Sequence, residues 1–182
     1  VAYTDELTPE AKIIGSVNTI KFFKGKIIGH NTDAIGFHQS LLNSDYLLSD
    51  KQAIIFGAGG AARAIAVGLI RAQCQKILIV NRNFDKAIAL VNWVTNRFPS
   101  AHVEALRSED QVIDAALQKC QLLVNATTLG MGSLADRSVL PSAELLHDNM
   151  LVYDLIYRPY RTKLIRQAEQ KNISWQNGMD ML

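Results

Sequence analysis

Ile54-Ile55-Phe56-Gly57-Ala58-Gly59-Gly60-Ala61-Ala62-Arg63-Ala64 is an apolar, strand-like run that breaks into glycines and resumes at once in helix-forming residues. Strand, glycine-rich turn and helix in that order make a cradle for a pyrophosphate. Gly57 permits the tight turn, Gly59 lets backbone amides approach phosphates, Ala62 keeps the helix close to the strand, and the helix N-terminus adds partial positive charge. The candidate cofactor-binding set here is Gly57, Ala58, Gly59, Gly60 and Ala61. Lys76-Ile77-Leu78-Ile79-Val80 reads as a second buried strand, and it ends in Asn81-Arg82 where an NAD site usually places Asp or Glu. A cation at that point directs the reading to NADP.

Outward from this unit, strands are expected near residues 52–56, 76–80, 102–106, 121–125, 151–154 and 173–176, with helices between them. The alternation predicts an α/β fold with a doubly wound parallel sheet. Upstream, Thr8-Pro9-Glu10 starts a short helix with a capping hydroxyl, a first-turn proline and an acid, and Gly15 ends it. Residues 17–23 and 26–29 read as strands joined by the hairpin loop Lys24-Gly25. Asn31-Thr32-Asp33 follows, then a helix over 34–42 whose apolar spacing runs through Ile35, Leu41 and Leu42 and weakly through Phe37. Ser108-Glu109-Asp110-Gln111 has the capping-box pattern. The long loop at 130–142 lies just past a strand's carboxyl end, the edge where such sheets bind ligands.

Composition removes several classes. The 182 residues are 48% hydrophobic and 20% charged, enough for a real core, and no apolar run approaches a bilayer-spanning length. A net charge of +2 comes from dispersed residues, without the basic block that follows a nucleic-acid backbone. Cys74 and Cys120 are neither a metal knuckle nor a disulfide framework, which fits a reducing cytoplasm. His30, His38, His102 and His147 have no metal-ligand spacing, so no metal is expected, and Ser133 has no nucleophile-elbow context. The opening Val1-Ala2-Tyr3, without an initiator Met or signal peptide, reads as the interior of a larger protein.

Seven blocks, in order and over nearly the whole chain, resemble the shikimate dehydrogenase family. They are Gly15-Ser16-Val17-Asn18-Thr19, residues 29–36 (Gly-His-Asn-Thr-Asp-Ala-Ile-Gly), Gly57-Ala58-Gly59-Gly60-Ala61, Asn81-Arg82-Asn83, residues 125–131 (Asn-Ala-Thr-Thr-Leu-Gly-Met), Asp154-Leu155-Ile156-Tyr157 and Gly178-Met179-Asp180-Met181-Leu182. The resemblance implies a Rossmann-like NADP domain at 34–178, the C-terminal part of an α/β substrate domain at 1–33, and at 179–182 the start of a helix returning to that domain. It implies reversible NADPH-dependent reduction of 3-dehydroshikimate to shikimate, on the route to aromatic amino acids, by a monomer or homodimer. Two alternatives stay open: a quinate/shikimate dehydrogenase using NAD or NADP, and a non-catalytic nucleotide-binding module.

On the same resemblance, Asp33 is the carboxylate of a catalytic Lys-Asp pair, although its local reading is an N-cap for the next helix. Asn18 is implied as donor and acceptor for substrate hydroxyls, and Tyr157 as a hydroxyl reaching substrate, against a plain role in the aromatic loop Arg158-Pro159-Tyr160. Arg82 and, one helical turn on, Lys86 would hold the ribose 2′-phosphate, with Asn81 and Asn83 adding amide donors. Lys86 stands where the family commonly has Arg, and Asn83 where it has Thr or Ser. Thr127 is expected near the nicotinamide half, or else as the capping residue of a strand-end turn, and Leu155 and Gly178 flank the nicotinamide. The family's catalytic lysine, its carboxylate-binding serines and a C-terminal glutamine have no match here, so this chain alone is expected to be inactive.

Overall fold

The computed structural model describes residues 3–108 and 112–182. The chain opens on β1 (Glu6–Leu7), α1 (Pro9–Ile14), β2 (Thr19–Phe23) and β3 (Lys26–His30), with β3 central, β2 antiparallel to it and β1 parallel. Thr8 caps α1 by accepting from the Ala11 amide at 3.3 Å, Pro9 fills the first turn, and Gly15 closes the helix at φ +68°. Lys24 and Gly25 turn the hairpin with φ of +50° and +75°, as a two-residue loop between right-twisted strands requires. The strand expected from residue 17 begins two residues later, at Thr19, and β1 is too short to carry a periodic signal.

Next, α2 (Asp33–Asn43) carries the chain from the small sheet onto a larger one. Ala34, Phe37, Ser40 and Leu41 face inward, whereas Ile35 and Leu42 are exposed, which corrects the apolar face read from the sequence. At about 100° per residue, positions 34, 37 and 41 share one stripe and Ile35 falls outside it. Phe37 is fully buried, with its ring edge-on to Tyr153 at 4.9 Å.

The larger sheet has six parallel strands in the order β6-β5-β4-β7-β8-β9: β4 (Gln52–Phe56), β5 (Lys76–Asn81), β6 (Val103–Arg107), β7 (Leu122–Asn125), β8 (Leu151–Asp154) and β9 (Trp175–Asn177). Successive side chains along each strand point to opposite faces. Ile55, Ile79, Val124 and Tyr153 therefore meet α2, α3 (Gly60–Arg71) and α4 (Phe84–Arg97) on one side. Ile54, Leu78, Leu123 and Val152 meet α5 (Val112–Leu117) and α6 (Lys163–Gln170) on the other. The sheet is thus covered on both faces, as the unbroken apolar runs of its strands demand. The outer strands sit one or two residues later than expected, and the loop at 130–142 contains a 3₁₀ turn at Gly132–Leu134. Of the proposed capping box, Glu109, Asp110 and Gln111 lie outside the described residues.

Strand order reverses between β4 and β7, which opens a crevice at their carboxyl ends. The segments leaving that edge stay in close contact: after β7 the Ala126 amide donates to the Phe56 carbonyl, and after β4 the Gly57 amide donates to the Val80 carbonyl, both at 2.8 Å.

Candidate functional site

The glycine turn follows directly from this crevice. Gly57 has φ +118°, and a Cβ there would stand 2.6 Å from the Ala126 carbonyl oxygen, so only glycine fits between the two strand ends. Around Gly59, by contrast, a Cβ would meet nothing within 4 Å. That residue starts α3 without a side-chain cap, and Gly59, Gly60 and Ala61 are exposed. The start of this twelve-residue helix is thus exposed, with open space over Gly59, and an anion there would satisfy its first amides.

Beside this turn lies a cavity of about 280 Å³ lined by Gly57, Ala58, Gly59, Asn81, Arg82, Asn83, Lys86 and Ala126 to Thr128. The two cations expected to share one mouth do so. Asn83 is the N-cap of α4, its Oδ1 accepting from the Lys86 amide at 3.3 Å, and Asn81 Nδ2 donates to the Asn83 carbonyl at 2.7 Å. These amides shape the loop that presents Arg82. Phe84 follows under the Arg107 guanidinium, 4.1 Å from the ring centre, a contact that sequence reasoning did not foresee because Arg107 comes from β6.

Two further cavities share Thr127 and Thr128 with the first. One, of about 550 Å³, runs beneath the carboxyl edge among Phe56, Val80, Ile113, Leu117, Leu134 and Leu140, with Asn81 and Arg82 at its rim. The other, of about 360 Å³, lies between the loops after β7 and β8, walled by Ala126, Thr127, Met131, Leu155, Tyr157 and Arg158, with Ala61 at its base. Thr127 Oγ1 donates to Asn125 Oδ1 at 2.7 Å and accepts from the Leu129 amide at 3.0 Å, so it closes the strand-end turn while lining the groove. Gly178 is buried behind Leu155; a Cβ on it would run into the Leu155 carbonyl.

Next to α3 stands the wall built by β2, β3 and the start of α2. Asn18 Nδ2 donates to Asp33 Oδ1 at 2.7 Å and to Thr32 Oγ1 at 3.0 Å, and its Oδ1 accepts from the Thr32 amide at 3.1 Å and the Thr19 hydroxyl at 2.9 Å. The amide expected to face substrate is thus engaged in holding Asp33. Asp33 is the first residue of α2, following Thr32, and does not cap it, because its carboxylate turns to Asn18. Among the described residues nothing bonds to Asp33 Oδ2, and the group is half-buried. The wall abuts α3 at Ser16, whose Oγ would lie 2.9 Å from a Cβ on Gly60.

Residues 40–155 match the family model described as shikimate/quinate 5-dehydrogenase. The chain belongs to this family. An NADP⁺-dependent shikimate dehydrogenase of Alkaliphilus oremlandii is 41% identical over 99% of the chain and 63% of its own length, and a quinate/shikimate dehydrogenase of Shigella flexneri is 35% identical over 99% and 74%. Among solved structures, the Thermus thermophilus shikimate 5-dehydrogenase in complex with NADP(H) and shikimate superposes with a TM-score of 0.81 at 36% identity, covering 99% of the chain and 62% of the other. The Listeria monocytogenes shikimate 5-dehydrogenase in complex with shikimate and NAD gives 0.85 at 30%, covering 99% and 63%. The chain thus spans a little under two thirds of several of the family members it matches.

Sequence reasoning places the segment from Asn125 to Thr128 near the nicotinamide half but gives no role to the side chain of Asn125, and none to Asp154, both buried polar residues of the family blocks. Both end otherwise apolar strands and both are inaccessible to solvent. A polar residue closing a buried strand was the signal available for them. No group of three or more His, Cys, Asp or Glu side chains able to hold a metal occurs among the described residues.

Proposed function

We propose that this chain forms the NADP-binding half and part of the substrate wall of a shikimate dehydrogenase that reversibly reduces 3-dehydroshikimate to shikimate. The observation that carries the proposal is the single mouth shared by the Gly57–Gly59 turn, Arg82 and Lys86. The groove's shape fits a dinucleotide, with open space over Gly59 for a pyrophosphate and two cations where a 2′-phosphate would lie. The apolar cavity rimmed by Arg82 fits an adenine, and the cavity between Thr127 and Leu155 a nicotinamide. Bound there, NADPH supplies the hydride. Leu155 and Thr127 would fix the ring's orientation, and Tyr157, on the outer rim of that cavity, would reach substrate.

Asp33 would serve proton movement. Asn18 holds Oδ1, which leaves Oδ2 for a substrate hydroxyl and for the lysine with which the family pairs this carboxylate. Asn18 acts in this reading chiefly as the group that orients Asp33. The residues at 1–33 then belong to the substrate domain, 34–178 to the cofactor domain, and 179–182 begin the return to the first. A cytoplasmic location accords with Cys74 and Cys120 as free thiols, and no helix among the described residues is long and apolar enough to cross a membrane.

The test is the oxidation of shikimate followed at the NADPH absorbance band, for the polypeptide from the complete reading frame and for these 182 residues alone. Turnover with NADP⁺ by the former, and NADPH binding without turnover by the latter, is the expected result. Absence of turnover from the complete polypeptide while NADPH still binds would refute the enzyme assignment.

A further inference from the structure

Asp154 closes β8 with three donors on one carboxylate. Its Oδ1 accepts from Asn125 Nδ2 at 2.9 Å and from the Ile156 amide at 3.1 Å, and its Oδ2 accepts from the Thr162 hydroxyl at 2.6 Å. Asn125 carries the constraint into the neighbouring loop. Its Nδ2 also donates to the Leu129 carbonyl at 3.0 Å, and its Oδ1 accepts from the Thr127 amide at 3.0 Å and the Thr127 hydroxyl at 2.7 Å. Thr162 in turn caps α6 by accepting from the Ile165 amide at 3.2 Å. At Gly130 a Cβ would lie 3.1 Å from Thr162 Cβ, so the loops after β7 and β8 already touch.

The bonds converge on the inner sides of two loops. Their outer sides, Ala126–Thr128 and Leu155–Arg158, are the facing walls of the cavity of about 360 Å³. Resting on the cofactor reading above, we infer that Asp154 is a positioning residue for the nicotinamide half of the cofactor, setting the spacing of these two walls from beneath. The carboxylate meets all three donors, which converge on it from different elements, two on Oδ1 and one on Oδ2. Burial raises the Asp154 carboxyl to about 6, so the fold keeps this group in place against a desolvation cost. Arg82 and Lys86 take part in none of these bonds, and the cavity they line shares Ala126, Thr127 and Thr128 with this one but not Leu155 to Arg158.

The wall at Leu155 to Arg158, which the cation cavity lacks, supplies the test. NADPH spans both halves, whereas adenosine 2′,5′-bisphosphate carries the adenine and 2′-phosphate without a nicotinamide. Asp154→Ala is expected to weaken NADPH roughly tenfold, by loss of the three hydrogen bonds that tie the two loops together, while the bisphosphate changes less than about twofold. Asp154→Asn should recover most of the NADPH affinity, because its carbonyl still accepts from Asn125 and Ile156 while its amide can donate to Thr162. If Asp154→Ala does not fold, Thr162→Val makes the same comparison with one donor removed, an expected loss for NADPH of about threefold. Equal weakening of both ligands, or no change in either, would show general fold support and overturn the inference. Wild-type chain that binds neither ligand would instead refute the cofactor reading itself.

Discussion

Protonation of Asp154 should stabilise the fold, the reverse of the usual dependence of stability on acid. The Asp154 carboxyl sits at about 6 against an unfolded value of 3.8, because burial outweighs its three hydrogen bonds. Between those values the folded chain holds a proton that the unfolded chain has released. Stability from this group is therefore fully present below about 4 and is lost as the pH rises through about 6, the opposite of a salt-bridged carboxylate. A gap of about 2 units at 1.36 kcal/mol per unit corresponds to about 3 kcal/mol. Asp154→Asn cannot titrate, so its stability minus that of the wild type should rise by up to about 3 kcal/mol between pH 4 and pH 7. Urea unfolding of both proteins at half-unit pH intervals measures that difference and cancels the contribution of every other carboxylate. A difference that stays flat within about 0.5 kcal/mol, or falls with pH, would mean that the three donors outweigh desolvation and that the argument is wrong.

Arg82→Ala should weaken NADPH about ten- to a hundredfold, as loss of a charge-assisted bond implies, with NADH changed less than about threefold; Lys86→Ala should act in the same direction and less strongly, both by fluorescence titration. Gly57→Ala forces a side chain onto the Ala126 carbonyl at φ +118° and should cost about 2–4 kcal/mol, a fall in melting temperature of roughly 5–15 °C. Gly59→Ala meets nothing within 4 Å and should melt like the wild type while losing NADPH affinity, since the methyl occupies the phosphate approach. Tyr153→Phe removes the 2.7 Å bond to Ser40, whose hydroxyl still bonds the Phe37 carbonyl, so the cost should be about 1 kcal/mol by urea unfolding.

The glycine turn, the strand-helix alternation and the Arg82–Lys86 mouth were legible because each depends on residues close in sequence. A strand, three glycines and a helix dictate their own geometry, and a helix beginning near Phe84 carries Lys86 back to Arg82 whatever surrounds it. Strand order was not legible, since alternation implies parallel pairing without saying which strands are neighbours. The face of α2 was misjudged at Ile35 because apolar character alone does not fix the angle at which a helix docks; Gly36 against Met181 and Gly68 against Ala34 and Phe37 set that angle by allowing close approach. Asn18 was read as a group for substrate, and the structure shows why sequence could not go further: its partners Thr32 and Asp33 lie 14 and 15 residues away and come alongside only when the hairpin closes. The same holds for Asn125 and Asp154, separated by 29 residues and joined only because β7 and β8 are adjacent. In each case the residue type was visible and the bond was not.

The most direct test of the account is a fluorescence titration of these 182 residues with NADPH and, separately, NADH. The account predicts saturable NADPH binding with NADH at least about tenfold weaker, as expected if the glycine turn and the two cations act together on one ligand. Equal affinity for the two would contradict the role given to Arg82 and Lys86, and no binding of either would contradict the reading of the groove as a dinucleotide site.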